Sequence, residues 1–447
     1  MLPATLLLTS SPAWSEVNSS ASSAPSKAAP VGALLRDDAA ILDWIDRRNG
    51  EVLAADARIA QANADVGTSR LLLPNPTADF AVGGITLGRT NPAAGAGDMK
   101  YPNGLGFGDT SNFNFGLSQT IELGKRGPRM EAADLRLKEA RKSYEVTVAD
   151  KLADARFALA RVVYLKARLA TLEDGLASAQ KSDELQKARL DHGGISGNDF
   201  DRLQLDTISL ETDVARSRSE YIGALAACEG VLYAPCDIAA DDPSALDAAA
   251  ALPPALPEPA GSIAARPDIA VAQLEAAAAQ QDAVLARRRG IPDPTVRLGY
   301  THDNGQVSGA QPNTLSLSVS VPLALFDHGQ HDAARATARA AEQRHLVTAL
   351  SAGAQASYGA LIDHRTFLET SLKRLNAVAV PKSAGVLDTT QKAFGQGQVG
   401  MTDLLLARRT HLALILNQID MRFDYFTVRN DLRRVLGLDA TSIGRSR

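Results

Sequence analysis

The chain has 447 residues, with 47 Lys and Arg against 51 Asp and Glu and a formal net charge of −4. This near balance, with no basic stripe interleaved with aromatic residues, argues against a nucleic-acid partner. Aromatic residues make up only 5%, and the abundance of Ala, Leu, Gln, Arg and Glu favours long helices that pack closely on one another. No run of 18 or more apolar residues occurs, so no transmembrane helix is expected.

The chain begins MLPATLLLTSSPAWSE, a short apolar segment followed by small residues. This pattern predicts a truncated secretory signal over 1–15, since the basic start of a signal is missing; a floppy tail is the alternative. Residues 16–35 are expected to be disordered. Cys228 and Cys236 lie eight residues apart. In an exported chain such a pair permits a local disulfide between a helix end and the following linker, with two buried free thiols as the alternative.

Three segments recur in the same order, which indicates an internal duplication. The matching pairs are LLLPNPTADFAVG (71–83) with RGIPDPTVRLGY (289–300), FGLSQTIEL (115–123) with LSLSVSVPL (315–323), and LDHGGISGNDF (190–200) with FGQGQVGMTDL (394–404). We therefore predict a first repeat over 36–233 and a second over 263–438. A Pro- and Ala-rich linker at 234–262 joins them, and 439–447 is expected to be a flexible tail.

Each repeat is predicted to contain a helix, two strands, a very long helix, a tight Gly-containing turn and a last helix. In the first repeat the predicted bounds are 36–71, 76–86, 112–123, 128–190, 191–199 and 199–232. In the second repeat they are 264–289, 294–302, 314–323, 331–394, 395–403 and 403–436. A 63-residue helix is ~95 Å long. Its apolar residues step by three and four, a spacing typical of coiled-coil packing.

The four predicted strands alternate between an apolar face and a face of small polar residues. Such strands are typical of transmembrane β-barrels, and a small soluble sheet covered by helices is the alternative. Four strands cannot close a barrel, so several chains would have to share one, and three chains would supply 12 strands. The residues predicted to face lipid are Phe113, Phe115, Leu117, Leu298, Tyr300, Leu315, Leu317 and Val319.

Motifs for catalysis or nucleotide binding are not found in the sequence. His328 and His331 form the closest histidine pair, but a metal site usually needs three or four fixed ligands, so a polar junction is the preferred interpretation. We therefore expect no enzyme activity, no cofactor and no resident metal.

The duplicated helix–hairpin–helix layout, the paired P-[ND]-P-T segments and the two G-x-[IV]-x-x-x-D turns resemble the TolC-like outer membrane factors. These proteins are the exit ducts of tripartite efflux and secretion systems. The resemblance covers about residues 40–438. The segment TIELGKRGPR at 120–129 is similar to the strand-to-helix junction of the CzcC/CusC-like heavy-metal branch. Members of that branch often carry a lipidated N-terminal cysteine, and none follows the apolar start here.

This resemblance implies a mostly α fold with a small β part. A homotrimer would combine a coiled-coil α-helical barrel in the periplasm with a 12-stranded β-barrel in the outer membrane. The implied partners are a periplasmic adaptor (membrane fusion) protein, an inner-membrane transporter of the RND type and outer-membrane lipid, with no nucleic acid. Heavy-metal cations are one implied cargo, and drugs or secreted proteins are alternatives. A coiled-coil scaffold without a transport role is the alternative from a different class.

The resemblance also implies functional positions at the two turns. The turns would meet the helical hairpins of the adaptor through Gly193, Gly194, Ile195, Gly397 and Val399, and ordinary helix–helix turns are the alternative. Asp199 and Asp403 would line the narrow periplasmic aperture, while helix N-capping is the other role of Asp at such a position. Val399 stands where some members have a basic residue that locks the aperture.

Overall fold

The computed structural model describes residues 29–84, 111–237, 245–304 and 312–443. Residues 1–15, where the signal is predicted, and most of both hairpin loops lie outside these ranges. Long helices dominate the described chain, and a small antiparallel sheet lies at one end of the longest helices. Among the helices in these ranges, none combines the length and apolar character needed to cross a membrane.

The first repeat contains one very long helix and the helices and strands that flank it. Its elements, in chain order, are β1 (Ala29–Pro30), α1 (Val31–Leu35), α2 (Asp38–Arg48), α3 (Gly50–Ser69), β2 (Thr77–Gly83), β3 (Asn112–Thr120), α4 (Arg126–Asp191), α5 (Gly197–Leu232) and β4 (Cys236–Asp237). The 66 residues of α4 span about 100 Å. Pro128 lies in the first turn of α4, where its missing N–H costs no helical hydrogen bond.

The second repeat follows the same order, after two short helices. Its elements are α6 (Ala245–Ala248), α7 (Pro259–Ala264), α8 (Pro267–Arg287), β5 (Thr295–Asp303), β6 (Asn313–Ser320), α9 (Gln330–Arg374), α10 (Val380–Gly395), α11 (Met401–Val435) and α12 (Leu438–Ile443). A π-helical turn, Leu375–Ala379, joins α9 to α10. Pro381 follows at once, and its ring and missing N–H explain why regular α-helix cannot run through this point.

The four longer strands form one sheet in the order β2-β3-β5-β6, with every neighbouring pair antiparallel. One row across the sheet joins Asp79, Gly116, Gly299 and Ser316, and the next row begins with Phe80 opposite Phe115. Within the described ranges, β2 and β6 each have one edge with no partner strand. The sheet is therefore open on both sides.

Residues near both ends of the described chain complete the main core, contrary to the sequence expectation. Residues 31–35 were expected to be disordered, yet Val31, Leu34 and Leu35 are buried against α4 because they are apolar. The expected flexible tail contains α12, whose Asp439 is almost fully buried. These two expectations are wrong at the residues that the structure describes.

Arg156 of α4 is the largest fully buried side chain and joins the two ends of the chain. Its Nε donates to Asp38 at 2.6 Å, and its Nη1 and Nη2 donate to Asp439 at 2.7 and 2.9 Å. These hydrogen bonds raise the pKa of Arg156 even though burial alone would lower it. Arg433 also donates to Asp38 and Asp439, so two arginines and two carboxylates form one network.

Candidate functional site

The apolar face of the sheet is bare. Of the eight residues predicted to face lipid, seven are exposed and Phe113 is half-buried. Leu315 and Leu317 are each 72% exposed. Among the described residues, β2, β3, β5 and β6 make their extensive contacts with one another and none with a helix. A soluble sheet covered by its own helices is therefore not the observed arrangement.

The opposite face of the sheet is polar and made of small residues, with one charged pair across three strands. Arg297 of β5 extends over Gly116 of β3 to reach Asp79 of β2, with Nε 3.3 Å from Oδ1 of Asp79. Its Nη2 donates to Oδ2 of Asp79 and, at 3.1 Å, to Asn114. A Cβ at Gly116 would meet the ends of both charged side chains, so glycine lets the pair lie directly over β3, and a larger residue would make both side chains shift.

The junction between sheet and helices is held by Asp293 of the I-P-D-P-T segment. Its Oδ1 accepts a hydrogen bond from the backbone N–H of Leu123 at 3.0 Å, and its Oδ2 accepts one from Lys125 at 2.5 Å. Gly124 lies between them with φ +71°, a conformation that favours glycine. These contacts join the two repeats, so the GKRGPR segment has a structural role at this bend.

Both predicted tips are tight turns with a glycine in the left-handed region. Gly193 has φ +71° and Gly397 has φ +74°, and each donates its N–H to a carbonyl of the preceding helix, at 2.9 and 3.1 Å. The glycines of the turns are exposed, including Gly194, while Ile195 and Val399 are half-buried. The tips therefore present backbone and glycine to solvent, with one partly covered aliphatic side chain each.

The two tips lie side by side. Leu203 of α5 packs with Met401, Leu404 and Leu405 of α11 in one buried cluster. Arg189, at the end of α4, donates to the carbonyl of Gly395 at 3.3 Å. The hairpins of the two repeats thus form one end of the molecule, about 100 Å along α4 from the sheet.

Asp199 and Asp403 both lie in the first turn of the helix that follows their tip, and Ser196 is the N-cap of α5. Asp199 accepts from the hydroxyl of Ser196 at 2.8 Å, and its backbone N–H donates back to Ser196 at 3.1 Å. Asp403 accepts from the backbone N–H of Gly400 at 3.3 Å. Asp403 thus takes part in capping α11, whereas Asp199 supports the Ser196 cap of α5 and places a negative charge in the first turn. A role of either residue at an aperture is a separate proposal.

A second group of charges lies between the tip and the middle of the helices, and the sequence patterns did not reveal it. Asp206 of α5 is buried, and its Oδ1 accepts from Nε of Arg409 at 2.5 Å. Asp206 lies beside the stripe residue Thr207 and outside the three-and-four spacing itself, so the apolar pattern gave no signal for it. Within the described ranges, Oδ2 of Asp206, Oδ1 of Asp183 and Nη1 of Arg408 are buried without a hydrogen-bond partner.

Burial changes the acidity of this group. It raises the pKa of Asp183, and the hydrogen bond with Thr207 and the charge of Arg408 offset this only in part. Burial likewise lowers the pKa of Arg408, although Asp206 and Asp183 act in the opposite direction. Charges in this helix packing are thus incompletely matched within one chain.

The structure joins Cys228 to Cys236 in a disulfide, with the Cα atoms 6.3 Å apart. Cys236 lies in β4, which pairs in parallel with β1, so the bridge fixes the end of α5 to the start of the described chain. Among the residues that the structure describes, no group of three or more His, Cys, Asp and Glu could hold a metal ion.

Comparison with known proteins adds to this geometry. Residues 261–438 match the family model for outer membrane efflux proteins, which corresponds to the second repeat. A search of curated proteins by sequence finds no match.

Solved structures of channels share the fold over nearly the whole chain. The structure of CusC, described with transmembrane channel formation, has a TM-score of 0.73 and 17% identity and covers 90% of this chain and 92% of its own. The Campylobacter jejuni CmeC outer membrane channel has a TM-score of 0.70 and 14% identity, covering 92% and 88%. The open state of the Neisseria gonorrhoeae MtrE outer membrane channel has a TM-score of 0.70 and 18% identity. The match covers 90% of this chain and 88% of the MtrE chain.

The chain therefore shares the fold of solved outer membrane channels over about 90% of its length. The resemblance to the TolC-like outer membrane factors is confirmed, by the family model over the second repeat and by the fold over 90% of the chain.

Proposed function

We propose that this protein is the outer-membrane exit duct of a tripartite efflux system and conducts its cargo passively. One observation carries the proposal: a four-stranded sheet that is bare on its apolar face and open at both edges ends a pair of helical hairpins about 100 Å long. A bare apolar face fits hydrocarbon. An open edge in lipid is too costly to persist, because its backbone groups would have no hydrogen-bond partner.

In a ring of three copies, β6 of each copy pairs with β2 of the next, so the backbone groups of both open edges gain hydrogen-bond partners. Each copy supplies four strands, so a homotrimer closes a 12-stranded barrel in outer-membrane lipid, and its helices form a tunnel across the periplasm. Charged groups near the tips, Asp183, Asp206 and Arg408, are incompletely partnered within one chain, which supports packing against helices of a neighbouring copy. Asp199 and Asp403 recur three times each around the aperture of such a trimer.

The partners follow from the position of the tips. The exposed Gly193, Gly194 and Gly397, with Ile195 and Val399 beside them, lie at the end remote from the sheet. We assign this end to a periplasmic adaptor protein with helical hairpins, and an inner-membrane transporter of the RND type supplies the energy. In this arrangement the duct is not an enzyme, and the pump and adaptor select the cargo.

Heavy-metal cations are the first cargo class to test, and drugs or secreted proteins are the alternatives. The similarity of the 120–129 junction to the heavy-metal branch motivates this order. The contacts of Lys125 with Asp293 at that junction serve the architecture, so they support the fold more directly than the cargo.

The test expresses this protein in a bacterial strain from which its own outer-membrane duct has been deleted. The same strain expresses the cognate adaptor and pump. We expect the protein in the outer-membrane fraction, a detergent-solubilised particle with the mass of three chains, and recovered resistance to a metal cation or a drug. A protein found in the soluble fraction without detergent would instead indicate a coiled-coil scaffold. Unchanged sensitivity to every cargo class would reject the export role.

A further inference from the structure

The charged pair on the polar face of the sheet joins equivalent positions of the two repeats. The repeat spacing of 218, seen at Pro74 and Pro292, also relates Asp79 to Arg297. The duplicated positions thus bear opposite charges. Apart from Asp303 at the end of its strand, no other charged residue lies on this face of β2, β3, β5 and β6 as described.

The strand register defines how this pair is placed. Asp79 lies opposite Gly116, and Arg297 lies opposite Ser118 on the other side of the same strand. The two charged residues are therefore offset by two positions along β3, on one face, and Gly116 leaves the space that the Arg297 side chain crosses. On its other side Arg297 lies opposite Ser318 of β6, where the neighbouring side chains are also small.

From this register we propose that chains assemble with Asp79 of one copy opposite Ser320 of the next, which closes a ring of alternating Asp79 and Arg297 on the inner wall of the barrel. The proposal rests on the shared barrel of the proposed function. In the strand pairing Gly116 and Ser318 hold equivalent positions, because they face Asp79 and Arg297 respectively. The sequence match of 115–123 with 315–323 aligns Gly116 with Ser316 instead, and the cross-linking control below tests that alternative register. Ser118 lies opposite Arg297 where β3 meets β5 within one copy. The equivalent contact between copies would place Ser320 of β6 opposite Asp79 in β2 of the next copy.

In this register the Arg297 side chain has two Asp79 carboxylates near it, each two strands away. One is Asp79 of its own copy, across Gly116, and the other is Asp79 of the next copy, across Ser318. Three copies give six charges of alternating sign, each two strands from the next, so every neighbouring pair is attractive. The occupant of the open edges is therefore a second copy of this chain, in a register fixed by charge as well as by the apolar alternation.

Cysteine cross-linking tests the register. In the proposed pairing Ser318 lies opposite Ala81 of the next copy, where facing Cβ atoms are about 4.5–5.5 Å apart, close to the range of a disulfide. The variant Ser318→Cys with Ala81→Cys should form disulfide-linked oligomers on oxidation. The matched control, Ser316→Cys with Ala81→Cys, is displaced by about 7 Å along the strand and should link several-fold less. The native cysteines are already bridged.

The outcomes separate this inference from the proposed function. A three-chain particle that links best in the control, or in neither variant, overturns the register while leaving the duct intact. A particle with the mass of one chain and no linking overturns both.

Charge exchange tests the alternation. Asp79→Arg gives six arginines in the ring and Arg297→Asp gives six aspartates, so each should lower the yield of trimer several-fold. The double variant Asp79→Arg with Arg297→Asp restores the alternation and should recover most of the yield. A double variant no better than the weaker single variant would overturn the proposed ring.

Discussion

Nε of Arg409 lies 2.5 Å from Oδ1 of Asp206 and so joins the last helix of one repeat to the last helix of the other. The pair is asymmetric, because the Asp206 side chain is 4% exposed and that of Arg409 is 63% exposed. Asp206 depends on its partner for compensation, whereas Arg409 can be solvated by water. The contact lies close to the tips, where helix movement would open or close a duct.

Loss of Arg409 should therefore be more harmful than loss of the charge on Asp206. Arg409→Met leaves a buried carboxylate without its cation and should destabilise the tip packing by about 1–3 kcal/mol. Asp206→Asn leaves Arg409 exposed to water and Arg408 still near Asp183, so it should cost less. Thermal unfolding, together with the rate of tryptic cleavage near Arg189 and Arg202, measures the difference. Equal effects of the two substitutions would show that the burial of Asp206 does not govern this contact.

Asp183 should make the stability of the same region depend on pH. Burial raises its pKa above the ordinary value of 3.8, so the folded chain binds this proton more tightly than the unfolded chain. Stability from this group therefore increases as pH falls from the raised pKa towards 3.8 and is lost as pH rises. Asp183→Asn should flatten the pH dependence of the unfolding temperature in that acidic window. A steeper dependence in the variant would contradict the assigned cause.

The sequence predicts the large elements well because their signals are periodic and long. The strands appear as alternation, the tips as Gly193 and Gly397 in matching turns, and the duplication as three segments repeated in the same order. A left-handed glycine turn and an apolar strand face each need only local residues. These features therefore do not depend on knowledge of distant contacts.

The charged contacts escaped prediction because they join residues that are far apart in the sequence. Arg156 meets Asp439 across 283 residues, and nothing near Asp439 distinguishes it from a residue in a solvated tail. The same reason hides the pair of Asp206 and Arg409. The apolar Val31 and Leu35 were assigned to a disordered segment because the flanking composition is rich in Ser, Ala and Pro.

A charge on the bare face of the sheet should oppose assembly. Leu317→Arg places a cation in the expected hydrocarbon and should cost about 2–4 kcal/mol if the site lies near the bilayer midplane. Ser316→Arg on the same strand faces the polar side and should be milder. The fraction of chain recovered as outer-membrane trimer gives the comparison. Equal tolerance of arginine at both positions would indicate that water bathes both faces.

Removal of Arg156 should destabilise the middle of the molecule strongly. Arg156→Met removes the guanidinium that donates two hydrogen bonds to the buried Asp439, and breaking a buried pair in this way costs about 3–5 kcal/mol. Lys151→Met provides the control, because its partner Glu51 is 61% exposed and surface pairs contribute about 0–1 kcal/mol. Chemical denaturation of both variants measures the two costs. A loss no larger than that of the control would show that Arg433 alone can compensate Asp439.

The tips separate folding from export most directly, because their aliphatic side chains are only partly covered. Ile195→Asp and Val399→Asp keep both glycine turns, so trimers should form in normal yield, but an apolar contact with the adaptor would be lost. Gly193→Pro instead removes the N–H that bonds to Leu190 and requires a φ near −65° where the turn has +71°.

We expect export to fail in all three variants. Cross-linking to the adaptor should be lost in the two aspartate variants while the trimer mass is unchanged. Normal export by Ile195→Asp and Val399→Asp together would remove these side chains from the adaptor interface, and loss of the trimer in either would give them a structural role.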